Sequence, residues 1–326
     1  MTRRGSAALD PRMEQTDCPL CGANDSTVLH RLENRTPQTP PSFTLVRCSA
    51  CSLVYLNPRP TPDGMATYYS AASCPCTRHP GGPSPIGQWL FRYGLRKRCR
   101  PLLKRQPPGR ILDIGCGEGH FLAEMRKHGW EPIGLDRNPS KAAFARDVLN
   151  LEAHSRRFED TDFPSEGFDA VTMWDSLEHL HHPLAALREI RRILKPEGHL
   201  LLRVPSLDSL DARLFGPSWA GLDPPRHLIV LSRKTLLRLL GEAGFTVERL
   251  WCMSGSHASF VISLRFLLER DTHSAILSGM LSLLLRVASS PVGSVVTAPY
   301  FGLLDRLCLG PEITALARRD SHNGDA

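Results

Sequence analysis

The chain has 326 residues, 41% of them hydrophobic and 22% charged, which is enough to bury one substantial core with small satellites and excludes a mini-protein or a disordered tail. The first residues lack the apolar stretch of a secretory signal, so a cytoplasmic location is expected, with the ten cysteines mostly reduced and open to metal binding rather than to a disulfide framework. The formal charge of +7 is local: from Gly64 to Leu112 there is no acid and a run of nine Arg and Lys, from Arg78 to Arg110, so the excess is one basic segment and not a uniformly basic surface.

Residues 1–62 carry Cys18-x-x-Cys21 and Cys48-x-x-Cys51, 26 residues apart and set among small turn residues. Two such pairs supply four thiolates to one tetrahedral zinc, and with no open position the site is expected to be structural. Cys74-Pro-Cys76 lacks a second pair and reads as incidental. Residues 63–108 form a linker, rich in Pro and Gly at first and then helical from about Gln88 to Arg105. The amphipathic pattern there, with Leu90, Phe91 and Leu95 among Arg and Lys, suits either packing on a sheet or an anionic interface.

From residue 109 to 326, apolar runs alternate with helical patterns in the order β-α-β-α-β-β-α-β up to about Pro205. This pattern predicts an α/β, Rossmann-like, mostly parallel sheet with helices on both faces. The expected strands are Arg110–Ile114, Pro132–Asp136, Phe168–Trp174 and His199–Val204, with an amphipathic helix over Pro183–Leu194. Ser232 is a good N-cap for a helix over Arg233–Ala243, and Gly244 a good stop. A last strand is expected near Ile313–Ala317.

The most specific feature is ILDIGCGEGHFL, residues 111–122, a glycine turn between a strand and a helix. Glycine lets the backbone approach a ligand there, and the helix N-terminus offers free N–H groups. The dinucleotide fingerprint needs Gly-x-Gly-x-x-Gly, but His120 occupies the third glycine's place. Asp136 closes the second strand, where a carboxylate can accept both ribose hydroxyls. A ribose without a pyrophosphate points to S-adenosylmethionine.

LDIGCGEG, GLD, FEDTDFPSEGFDAVTMWDSLEHL, REIRRILKPEGHLLLRVPS and PPRHLIVLSRKTLLRLLGEAGF together resemble the class I S-adenosylmethionine-dependent methyltransferases over roughly residues 90–250. The resemblance implies a seven-stranded sheet and a small-molecule methyl acceptor. It places Gly115 and Gly117 against the methionine portion, with Asp113 ordering the loop, Asp136 on the ribose, and Phe158 and Glu159 beside the adenine. It sets Asp175 near the sulfonium and substrate. His179, following in Asp-Ser-Leu-Glu-His, is a candidate base or substrate contact, because its unperturbed pKa lies near neutrality. The Glu178-His179 pair resembles one that sits near substrate, and near a metal, in ubiquinone-pathway O-methyltransferases. His181 and His182 read as surface or capping residues. His227, in a loop expected to fold over the site, is a third catalytic candidate, with Arg226 beside it as a contact for an acidic substrate. The residues after the fourth strand lack the Asn/Asp-Pro-Pro-aromatic pattern of amino methyltransferases, so an oxygen or carbon acceptor is favoured, on a lipid-linked, quinone-like or sugar molecule.

The segment at about 252–311 reads as a hydrophobic helical cap inserted before the last strand. From Ser274 to Leu304 its only charge is Arg286. Its prolines, glycine and serines argue against a membrane span and leave a buried cap, a homodimer surface or peripheral contact with the inner face of a membrane. Two rival functions stay open at the sequence level. An RNA methyltransferase would grip phosphates with the cysteine module and basic segment, although the near-neutral remainder argues against nucleic acid. A non-catalytic binding module could also use the same fold.

Overall fold

The computed structural model describes residues 10–33, 42–68, 85–252, 256–269 and 275–320. Arg78 and the Cys74-Pro-Cys76 motif lie outside the described residues. The chain opens with β1 (Met13–Glu14), β2 (Ser26–Glu33), β3 (Ser42–Cys48), β4 (Val54–Leu56) and β5 (Arg59–Pro60). β1 pairs with β5, while β2, β3 and β4 form an antiparallel meander. After it comes α1 (Pro85–Leu103), the expected basic helix. Leu95 of α1 is buried and Phe91 packs beside it in one apolar cluster with residues of the main sheet, whereas Trp89 and Tyr93 are stacked and exposed. The side chain of Leu90 lies outside the described residues.

The alternation then runs as read: β6 (Arg110–Ile114), α2 (His120–Lys127), β7 (Glu131–Leu135), α3 (Pro139–Asp147), β8 (Glu152–His154), β9 (Phe168–Trp174), α4 (Pro183–Ile193) and β10 (Leu194–Pro205). Pro139 opens α3 where its missing N–H costs nothing, and the Asn138 side chain caps that end by accepting from Ser140 N and Lys141 N. The chain continues through α5 (Leu210–Phe215), β11 (Ile229–Val230), α6 (Arg233–Glu242) and β12 (Phe245–Cys252). Ser232 caps α6 by accepting from Thr235 N, and Gly244 leaves that helix at φ +80°. The apolar segment forms α7 (Ser256–Leu268), α8 (Ala275–Ala288) and α9 (Pro291–Arg306) before β13 (Glu312–Arg319).

Seven strands make one sheet in the order β12-β13-β10-β9-β6-β7-β8. β8, β7, β6, β9 and β10 are parallel neighbours, and β13 is antiparallel to both β10 and β12. This is the mostly parallel Rossmann-like sheet that the apolar runs predict, with strands such as Phe168–Trp174 buried nearly throughout because helices cover them.

One connection has no counterpart in the sequence reading. β11, from the segment between β10 and α6, pairs antiparallel with β4 and becomes the edge strand of the cysteine module's sheet. One continuous apolar cluster accordingly contains Cys18, Leu20 and Cys48 together with Ile229, Leu239 and Val171. His181 departs from its expected surface role: it is 6% exposed, and its Nε2 bonds Pro60 O at 2.9 Å. The buried Arg59 donates to His181 O at 2.8 Å, so module and sheet hold each other where an exposed histidine was expected. His182 stands exposed at the N-cap of α4 and makes no side-chain cap.

Candidate active site

The carboxyl ends of β6, β7 and β9 converge on the glycine turn. Gly115, Gly117 and Gly119 all have positive φ, at 82°, 57° and 80°, which L side chains rarely adopt. Each meets a different constraint. A Cβ on Gly115 would strike Ser176 Oγ, and one on Gly119 would lie within 2.7 Å of Leu151, but at Gly117 the space is open. Open space beside an exposed turn of backbone is what a ligand lying along the turn requires. Gly115 N and Cys116 N donate to Leu135 O at 2.7 and 2.9 Å, tying the turn to the end of β7.

Asp136, the next residue, accepts from Gly117 N on Oδ2 and from Asn138 N on Oδ1, both at 2.8 Å. One lone pair on each oxygen is thereby used, and the second remains for a pair of hydroxyls. Asp113 is 1% exposed and accepts from Thr172 Oγ1 at 2.7 Å; burial pushes its carboxyl up to about 7. It sits beneath the turn as a support. Phe158 is buried in the same apolar cluster as Ile133 and Leu135, whereas Glu159 is exposed, so of the two expected adenine neighbours one faces the interior and the other solvent. These residues fit S-adenosylmethionine through the Gly117 cradle and the Asp136 carboxylate.

A second group lies on the other side of Ser176. Asp175 follows β9 at φ 53°, and both its oxygens are held by Arg203, with Nε to Oδ1 at 3.0 Å and a shorter contact from Nη2. Arg203 is 6% exposed, also reaches Glu312 at 2.9 Å, and lies over the Trp174 ring. Sequence reasoning missed Arg203. The signal was a lone charge in the apolar run LLLRVP, because a buried cation requires anionic partners.

Glu178 is 1% exposed with no hydrogen bond to either carboxylate oxygen among the described residues, and burial raises its pKa well above the usual range. His179 and His227 stack edge to face with ring centroids 4.9 Å apart. Nδ1 of His179 lies 2.8 Å from Arg226 O, and Nδ1 of His227 lies 2.9 Å from Gly221 O. A carbonyl can only accept, so each ring carries its proton on Nδ1 when neutral and its lone pair on Nε2. Burial, and then the neighbouring His227, bring the His179 pKa down to about 4. His227 Nε2 is 4.0 Å from Glu178 Oε1, and one ligand atom from each of Glu178, His179 and His227 falls within 4.8 Å of the others. One carboxylate and two imidazoles at this spacing can take up a proton or hold a divalent cation. Arg226, expected as a contact for an acidic substrate, pairs with Asp223 at 2.8 Å.

The cysteine module brings its four thiols together as the spacing predicts. Cys18 and Cys51 sulfurs are 3.4 Å apart, Cys21 and Cys48 sulfurs 3.6 Å, and all four lie within 4.8 Å of one another. Four sulfurs at about 2.3 Å from a tetrahedral zinc stand roughly 3.8 Å apart, so the donor set fits that ion. Each pair ends in a tight turn, with Gly22 N donating to Cys18 O and Ser52 N to Cys48 O.

Comparison with known proteins agrees with this geometry. A family model described as a methyltransferase domain matches residues 89–250. The chain is 34% identical over 100 residues to a ubiquinone biosynthesis O-methyltransferase of Alkalilimnicola ehrlichii, covering 28% of this chain and 40% of that protein. It is 34% identical over 102 residues to the protein of the same name from Xanthomonas campestris pv. campestris, covering 29% and 43%. The chain thus spans about two fifths of the length of these curated relatives. An S-adenosylmethionine-dependent methyltransferase from Mesorhizobium loti superimposes with a TM-score of 0.47 at 18% identity, covering 69% of this chain and all of that one. With the glycine turn, the acid after the second parallel strand and the seven-stranded sheet in place, residues 89–250 belong to the class I S-adenosylmethionine-dependent methyltransferases.

Proposed function

We propose that the protein transfers a methyl group from S-adenosylmethionine to an oxygen of a small, largely apolar molecule. The observation that carries this reading is the Glu178, His179 and His227 cluster, which begins two residues after Ser176, whose hydroxyl abuts the Gly115 turn. The relatives named above are O-methyltransferases of ubiquinone biosynthesis, and a quinone-like hydroxyl is the acceptor that fits a site of this kind.

S-adenosylmethionine brings an electrophilic methyl on a sulfonium, already a good leaving group, so the protein's main task is alignment for in-line attack. Gly115, Gly117 and Asp136 hold the donor, with Asp113 supporting the turn and Phe158 and Glu159 at the adenine end. Arg203 fixes Asp175 at the rim between donor and acceptor. His227, whose Nε2 lies 4.0 Å from Glu178 Oε1 with the His179 ring packed edge-on against it, receives the proton that the acceptor hydroxyl must lose. Asp223, whose Oδ2 lies 3.9 Å from the same nitrogen, stabilises the resulting imidazolium. The Cys18, Cys21, Cys48 and Cys51 thiolates hold a structural zinc that keeps residues 1–62 folded as a module, and residues 109–326 form the catalytic domain, joined to it through 63–108.

The apolar cap delivers the acceptor. α8 and α9 expose Leu277, Met280, Leu283, Val287, Val296 and Leu303. No helix among the described residues is long and apolar enough to cross a membrane; we propose that this exposed apolar face meets a membrane surface peripherally. α7 carries the link to the site, since Ser263 Oγ accepts from Ala220 N at 2.9 Å, next to the Gly221 carbonyl that holds His227.

Transfer of labelled methyl groups from S-adenosylmethionine into separated lipid, soluble small-molecule and RNA pools tests the reading. Label in an apolar small-molecule or lipid fraction, as an ether, is expected. Label confined to RNA, or none despite cofactor binding, would overturn it.

A further inference from the structure

Among the described residues, four of the eight cysteines belong to the module's cluster, and Cys99 and Cys116 are buried apart from it. The remaining two meet. Cys252 is the last residue of β12, 7% exposed, and its Sγ lies 2.9 Å from Sγ of Cys308. Cys308 is half-buried, two residues past α9 and at φ 56°. The helices α7, α8 and α9 therefore lie between these two cysteines in the chain, Cys252 at the end of β12 and Cys308 four residues before β13.

Both sides of this contact are anchored in ways that aim the sulfurs at each other. Cys252 pairs with Ile313 in the β12–β13 ladder. Beyond Cys308, Leu309 N donates to Leu304 O, closing α9, and Leu309 O accepts from Leu210 N at the start of α5. A disulfide needs a sulfur separation of about 2.0 Å, so the pair has roughly 0.9 Å to close.

We propose that Cys252 and Cys308 form an oxidative modification site: a dithiol that closes to an intramolecular disulfide by exchange with a low-molecular-weight disulfide, clasping the base of the α7–α9 cap. Cys308, the more accessible, enters first. Its thiolate attacks one sulfur of the external disulfide and expels one thiolate, leaving a mixed disulfide on Cys308. Cys252 loses its proton to water, attacks Cys308 Sγ and expels the second thiolate. Two protein thiols are oxidised and one external disulfide is reduced to two thiols. Burial pushes the Cys252 thiol up, which makes its attack the slower step and suits it to the resolving role. The consequence is mechanical. The cap touches the acceptor loop through Ser263 and Ala220, and a covalent base holds the two ends of the cap together when its helices loosen.

The test treats the zinc-loaded full chain with oxidised glutathione, blocks remaining thiols with an alkylating agent, and maps peptides by mass spectrometry. The expected result is a cross-linked peptide pair joining residues 252 and 308, two fewer alkylated thiols per chain, unchanged zinc content and slower proteolysis within 256–306. Cys252→Ser should stop the reaction at a glutathione adduct on Cys308, and Cys308→Ser should abolish it. A wild-type chain that keeps the adduct on Cys308 would overturn the proposal. So would oxidation confined to the four-cysteine cluster with zinc release, or no reaction at either residue.

Discussion

The two halves of the proposed active site are built on opposite principles. The donor half lies within one stretch of chain: Asp113, Gly115, Gly117 and Asp136 come from two adjacent parallel strands and the turn between them, and nearly every bond that shapes it is local. The acceptor half is assembled from afar. Leu228 N donates to Glu178 O at 2.8 Å, Leu228 O accepts from Leu56 N at 2.9 Å, and His181 reaches Pro60. Glu178 and His227 are thus brought together by a cysteine module that begins more than a hundred residues earlier. Donor binding is expected to survive damage that destroys acceptor chemistry, and not the reverse.

The largest effect should come from breaking the module. Structural zinc sites in small fingers contribute about 10–16 kcal/mol of apparent binding energy to folding. Cys48→Ser is expected to take the metal from one zinc per chain to none, loosen β4 and with it β11, and abolish transfer to the acceptor, while S-adenosylmethionine binding measured by calorimetry persists. A metal-free variant with full stability and activity would refute both the zinc module and its hold on the acceptor loop.

A narrower cut separates chemistry from scaffolding. His227→Ala leaves the four-cysteine cluster and the Gly115 turn untouched, and removal of a general base costs about 10²–10⁴-fold in rate. The expected loss lies in kcat, with donor affinity unchanged. An unaltered kcat would dismiss the histidine pair as structural.

Legibility in the sequence follows the same division. ILDIGCGEG could be read because a strand, a positive-φ turn and a helix N-terminus are local demands, each answered by residue type at fixed spacing. The cysteine pairs could be read for the same reason. His179 and His227 were visible as candidates, but nothing in their sequence positions says that the rings meet, since that depends on the pairing of β11 with β4, a two-residue strand with no periodic pattern of its own. Arg203 shows the same limit, being conspicuous as a charge in an apolar strand while its partners Asp175 and Glu312 come from two other strand ends. His181 was misplaced because a histidine beside a helix start looks solvated until the module covers it.

Asp136→Ala probes the donor half by itself. Two hydrogen bonds to a charged group at about 1.5 kcal/mol each amount to roughly a hundredfold in affinity. S-adenosylmethionine binding should weaken by about that factor, with zinc content unchanged and the protein still folded. Equal affinity would remove Asp136 from the ribose and with it the assignment of the donor half.

The smallest effect concerns the support beneath the turn. Asp113 titrates near 7 in the folded chain, against an ordinary 3.8, because burial penalises its charge. The native state therefore holds a proton that the unfolded chain has already lost across that interval. The stability this contributes is complete below about pH 4 and is lost as the pH climbs through about 7. Asp113→Asn retains an oxygen for Thr172 Oγ1 but cannot titrate, so the other raised carboxyls, Glu178 and Glu312, cancel when the two proteins are compared. Urea unfolding of both proteins without cofactor, from pH 5 to 8, should show the wild type losing ground to the variant by at most about 1.4 kcal/mol per pH unit up to pH 7 and by nothing further above it. A difference that does not change with pH would mean that Asp113 is ionised throughout, held by Arg98 nearby rather than neutralised by burial, and the turn would then rest on a charge.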